Sequence, residues 1–210
     1  MAGAVWGRVV AGVGLAGLVG IVWSVSGGRA GEEALAPAGT TAQIAPWTTP
    51  TSEATVVEVD LPRLGAAQPL EDLDGWLQSE VSAIEDLRGR VVVVQFWTFG
   101  CINCKNTLAN LQHLAAAHAG DDFEIVGVHS PEFDYEKDPA AIAAAAADLG
   151  VTWPIALDTG KSNFFTWQGS PAYWPRTYVI DREGEIRFDH IGEGAYDELN
   201  AAVDLLLSSS

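Results

Sequence analysis

The stretch "VVVVQFWTFGCINCKNTL", residues 91–108, decides the fold. It opens on a β-branched, largely apolar run, residues 91–97, short enough for a strand buried on both faces. It closes on the start of a helical pattern that continues through Leu108, Leu111, Leu114 and Ala115. Between strand and helix stand Cys101 and Cys104, the only 2 cysteines in a chain of 210 residues. A disulfide between them would close one small ring, and short loops yield little stability. Cysteines placed this way point to chemistry rather than to a structural staple.

That chemistry follows from the helix. A sulfur in its first turn meets unpaired backbone N–H groups and the positive end of the helix dipole, which favour thiolate. Cys101 is then the exposed nucleophile with a lowered pKa. Cys104, one turn on, is placed to resolve a mixed disulfide formed at Cys101. Lys105 adds a nearby positive charge.

Downstream, the pattern alternates. Residues 123–129, "FEIVGVH", read as a second buried strand. Residues 138–150 read as a helix with Asp138 as cap, Pro139 at its first position and Gly150 at its end. A short strand at 153–158, a short helix at 160–167, a hairpin over 176–192 turning at Arg182–Gly184, and a helix at 196–207 follow. Upstream, residues 75–90 read as an irregular lead-in that could close as a hairpin. The β-α-β crossover makes strands 91–97 and 123–129 parallel and adjacent. Their carboxyl ends share one sheet edge, where open α/β sheets place ligands. The cysteines, the loop "SPEFDYEK" (130–137) and Pro175 should converge there.

The amino-terminal part has another character. Arg8 precedes an uncharged run from Val9 to Val25, with Glu32 and Glu33 beyond it. We read residues 1–28 as a signal peptide or membrane anchor, with the rest exported. Residues 29–55 are rich in Ala, Pro, Thr and Gly and read as a flexible linker, leaving 56–210 as the folded domain. With 28 acidic against 11 basic residues, net −17, the surface repels nucleic acid.

Metal chemistry is the rival reading. Structural zinc wants four ligands, and beyond the CxxC only His113, His118, His129 and His190 remain, with no second ligand pair among them. A copper site of two thiolates and His129 is the form a binding module would take. A thiol peroxidase acting at Cys101 is a second enzymatic option. Strand–CxxC–helix favours redox chemistry over metal.

At these residues the chain resembles the thioredoxin superfamily, and more narrowly its TlpA-like and DipZ-type exported thiol–disulfide oxidoreductases, whose signature is similar to FWTxxCINC. The likeness runs on through "DGWLQS" (74–79), "VGVHSPEFDYEKDP" (126–139), "WPIALD" (153–158), "YWPRTYVID" (173–181) and "GEGAYDE" (192–198). It implies an α/β thioredoxin fold, a central mixed sheet flanked by helices with an inserted helix–strand unit. It implies Cys101 as nucleophile, Cys104 as resolving cysteine and Pro175 as a cis-proline facing the dithiol. The Trp174 backbone would then pair with an extended substrate segment. No cofactor is implied beyond the two thiols. Partners would be proteins carrying disulfides or thiols, with a membrane electron donor behind them. Reduction of partner disulfides, as in cytochrome c maturation, is the family's usual role.

The chain departs from the pattern in three places. Gly100 stands where thioredoxin has tryptophan. Gln95 stands where many relatives bury an aspartate, and Thr107 where some carry a glutamate. Neither glutamine nor threonine is a general base. Glu132, in the loop at the same edge, is the candidate for taking the proton from Cys104. Phe99 is a candidate to flank the exposed sulfur. His129 is read as a strand-end histidine bonded to the backbone, and Trp76, Trp97 and Trp167 as core.

Overall fold

The computed structural model describes residues 61–120 and 122–209. The proposed anchor, linker and first residues of the domain lie outside the described residues. Among the described residues no helix is long and apolar enough to cross a membrane.

In chain order the elements are β1 (Gly65–Ala66), β2 (Trp76–Leu77), β3 (Val91–Trp97), α1 (Ile102–Ala117), β4 (Phe123–His129), α2 (Pro139–Asp148), β5 (Ile155–Leu157), α3 (Ser162–Gln168), β6 (Arg176–Ile180), β7 (Glu185–Ile191) and α4 (Tyr196–Ser208). They form one mixed sheet in the order β1-β7-β6-β3-β4-β5-β2. β3 pairs parallel with β4, and β4 with β5, while β6 runs antiparallel to β3.

Every residue of β3 is buried, as its unbroken apolar run requires. Val91, Val93 and Trp97 face a core shared with Leu108, Leu111 and Leu114 of α1 and Val203 of α4. Val92, Val94 and Phe96 face the opposite core, with Tyr178 of β6 and Phe164 of α3. Each such side chain removed from water contributes roughly 1.5–3 kcal/mol before entropy is counted. α2 starts as its sequence dictates: Asp138 accepts a hydrogen bond from the Ala140 N–H, and Pro139 follows at the first position.

Residues 75–90 do not close as a hairpin. Trp76 and Leu77 instead pair with Ala156 and Ile155, giving the sheet its outer strand beside β5. Trp97 is core, whereas Trp76 and Trp167 are only partly buried and lean on the second core.

The registers converge on the expected edge. Trp97 lies beside His129, and Arg176 beside Phe96, so Pro175 stands level with the end of β3. The Trp174–Pro175 bond is cis, as is Ser170–Pro171.

Candidate active site

Cys101 is the N-cap of α1 in extended conformation, and its sulfur accepts the Cys104 backbone N–H at 3.2 Å. This is the place of a capping oxygen, taken by sulfur. Both cysteines are free thiols. Cys101 is half-buried, whereas Cys104 is fully enclosed. Their environments separate the two thiols. The Cys101 pKa is lowered to about 7, chiefly by the hydrogen bond from the Cys104 thiol; burial opposes this, the Cys104 and Asn103 backbones assist it, and the charge of Glu132 opposes it. The Cys104 pKa is pushed up, first by burial and then by its bond to Cys101. Thiolate is thus favoured at Cys101, and Cys104 is held protonated.

Cys101 opens into a cleft of about 480 Å³ walled by Gly100, Ile102, Glu132, Tyr173 and Trp174. Glu132 is exposed on this wall. Its charge is felt by Cys101, on the open side of the dithiol. Trp174 stacks on Phe164 at 4.1 Å and donates its indole N–H to the Ser130 carbonyl at 2.8 Å. Its ring is fixed, which holds the chain entering Pro175. Pro175 is buried. Phe99 stacks on His129 at 5.6 Å and meets Tyr135 edge-on at 5.9 Å.

His129 is wholly buried, and its Nε2 lies 3.3 Å from the Thr98 hydroxyl. The ring thus meets a side chain, Thr98, in addition to its own backbone. Burial lowers its pKa to about 4, against the opposing charge of Glu136. It stays neutral at ordinary pH. Among the described residues no three His, Cys, Asp or Glu side chains gather as a metal-holding group.

Gln95 and Thr107 meet behind the dithiol. Gln95 Nε2 donates to Thr107 Oγ1 at 2.9 Å and to Thr177 Oγ1 at 3.3 Å, and Thr107 donates to the Cys104 carbonyl at 2.7 Å. The two positions that lack a carboxylate are thus joined in one neutral network.

Sequence reasoning missed Glu136. Its carboxylate is buried and accepts N–H groups from Gly100 at 2.8 Å, Glu132 at 2.7 Å and Phe133 at 2.9 Å. Burial pushes its pKa up, but the hydrogen bonds from Phe133, Thr98, Glu132 and Gly100 outweigh that and hold it below the ordinary carboxylate value. The available signal was a glutamate three residues after Phe133, where the acid of a capping box reaches back to the chain.

The sheet, the cis-proline and a half-exposed cysteine capping its helix define an oxidoreductase of the thioredoxin-like class. The chain belongs to the AhpC/TSA family, whose family model matches residues 66–189. It is 36% identical over 150 residues to Protein DipZ of Mycobacterium tuberculosis (strain CDC 1551 / Oshkosh), covering 70% of this chain and 21% of DipZ. The chain therefore spans about a fifth of that relative. It is 26% identical over 146 residues to the thiol-disulfide oxidoreductase YkuV of Bacillus subtilis (strain 168), covering 68% of this chain and 97% of YkuV. The solution structure of a thioredoxin-like protein in the oxidized form superposes with a TM-score of 0.61 at 25% identity, covering 70% of this chain and 97% of the other.

Proposed function

We propose that the chain is an extracytoplasmic thiol–disulfide oxidoreductase that reduces disulfides in partner proteins, held at the membrane or released by its amino-terminal segment. One observation carries this reading. Cys101 caps a helix, half-exposed in an open cleft, while Cys104 lies sealed one turn behind it.

In the forward reaction the Cys101 thiolate attacks one sulfur of a partner disulfide. A new S–S bond forms, the partner's bond breaks, and its departing sulfur takes a proton. Cys104 then loses its proton and attacks Cys101 Sγ, releasing the second partner thiol. The partner gains two electrons, and the chain is left as a Cys101–Cys104 disulfide. Glu132 is the carboxylate on the cleft wall that receives the Cys104 proton, directly or through water. The backbone at Trp174, before the cis bond, holds the partner segment as an added strand. Gly100, Ile102 and Tyr173 give it an apolar wall, and Phe99 supports the loop beneath. A membrane electron donor restores the dithiol.

The reduction potential of the pair tests this, by titration against dithiothreitol or glutathione followed by tryptophan fluorescence. A value near about −270 mV fits a reductant, whereas one near about −120 mV would make the protein an oxidant of its partners. No reversible two-electron transition would overturn the redox reading, and tight one-to-one copper binding that needs His129 would replace it. Consumption of hydroperoxide faster than of protein disulfides would make it a peroxidase.

A further inference from the structure

We propose that Glu136 is a positioning residue for the nucleophile, a buried anionic clamp that holds the turn entering Cys101 against the loop 130–136 and so keeps Cys101 seated on its helix. The proposal rests on the redox reading for its purpose, though not for its geometry.

The turn Thr98–Cys101 is pinned at two points. The Cys101 N–H bonds the Thr98 carbonyl at 3.3 Å, and the Gly100 N–H bonds Glu136 Oε1 at 2.8 Å. The other oxygen, Oε2, takes the N–H groups of Glu132 and Phe133. One carboxylate thus ties two separate segments, the first leading to Cys101 and the second carrying Glu132. Both segments wall the same cleft. Charge-assisted bonds of this kind are about twice as strong as neutral ones. A buried charge with these partners removed is costly, so the clamp is all-or-none.

The residue at position 100 is fixed by the same contact. A Cβ there would lie 2.2 Å from Glu136 Oε1 and 2.8 Å from the Tyr135 hydroxyl oxygen. A free side-chain end could swing aside, but this one is held by three backbone donors. Glycine before Cys101 is therefore the partner of a buried glutamate after β4. The departure from the tryptophan of thioredoxin has a steric cause.

The consequence for chemistry runs through Cys101. Its thiolate is favoured by donors at the start of α1, the Cys104 thiol and the Cys104 and Asn103 backbones. Those donors act only while Cys101 stays seated. The ionisable groups that influence Cys101 are Cys104 from α1 and Glu132 from the loop, and Glu136 itself is felt by His129 of β4. In Glu136→Gln the amide oxygen can serve one segment, and the amide NH₂ then confronts the N–H donors of the other.

The test is the pH profile of Cys101 alkylation in the full-length chain, wild type against Glu136→Gln, with unfolding followed by circular dichroism. The variant should show the Cys101 midpoint raised by about one unit, with a roughly fivefold lower alkylation rate at pH 7. A folded variant with an unchanged midpoint overturns the proposal. Gly100→Ala, with Glu136 intact, should shift the midpoint the same way, and an unmoved profile overturns it there too. In Gly100→Ala/Glu136→Gln the two effects should be less than additive; full additivity would mean the residues act apart. If no variant folds, hydrogen exchange in the wild type decides. The Gly100, Glu132 and Phe133 amides should be protected together, and rapid exchange at Gly100 overturns the clamp. A wild-type chain that exchanges no disulfide would sink the proposed function while leaving these comparisons intact.

Discussion

Gln95 Nε2 lies 2.9 Å from Thr107 Oγ1, a contact between the two positions where carboxylates of related oxidoreductases would stand. The network behind Cys104 is neutral. It can orient the backbone but cannot take a proton.

Gln95→Leu should therefore act on stability rather than on proton transfer. It removes two buried hydrogen bonds, to Thr107 and Thr177, and should cost about 1–3 kcal/mol in urea unfolding. The pH dependence of mixed-disulfide resolution should not move. A lost limb in that profile would show that the amide takes part in the chemistry.

Cys101 should alkylate with a midpoint near pH 7, its rate rising with pH as thiolate forms. The charge of Glu132 holds that midpoint up, so Glu132→Gln should lower it, by less than a tenfold change in thiolate population. The same variant tests proton transfer. If Glu132 receives the Cys104 proton, resolution of the mixed disulfide should slow although Cys101 is more reactive. A faster first step with unchanged resolution would remove Glu132 from the mechanism.

Cys104→Ser should keep the first attack and lose the second. A mixed disulfide between Cys101 and a partner peptide should accumulate and be visible by mass spectrometry. Cys101→Ser should form none. Equal trapping by both variants would mean that the buried sulfur is not the resolving one.

His129 makes stability fall in acid. Its folded pKa is about 4, below the unfolded value of 6.5, so the unfolded chain binds the extra proton first. The contribution is complete above pH 6.5 and is lost as the pH falls toward 4, with a magnitude of about 3 kcal/mol. Thermal unfolding of His129→Gln should show a flatter slope than wild type over that window. Parallel slopes would mean that other groups carry the acid sensitivity.

Elements with strong local signals were legible in the chain. The run at 91–97 and the Asp138–Pro139 helix start can each adopt only one structure that satisfies its own pattern. Trp76 and Leu77 were not legible as a strand, because their partners, Ile155 and Ala156, are far away in sequence and two residues have no period. The positions of Cys101 and Cys104 were legible because one short stretch carries both, whereas Pro175 as a cis-proline facing them came from the resemblance, and the structure puts it level with the end of β3. Glu136 left only the capping-box spacing after Phe133 as a signal, since an acid in a polar loop otherwise reads as solvated until tertiary packing closes over it. Gln95 and Thr107 were visible as departures, but that they touch is a property of the fold.

The sulfur and the walls around it come from different stretches of chain. Cys101 and its helix donors belong to 101–104, while Glu132 and Trp174 arrive on loops after β4 and before β6. The reactive sulfur and the walls of its cleft are thus contributed by separate segments, with Glu132 the one wall residue whose charge reaches Cys101. The loop before β6 can change an exposed side chain such as Tyr173 across generations without touching the dithiol, whereas the loop after β4 cannot vary so freely, because its Glu132 acts on Cys101 and its Glu136 holds the turn that enters it.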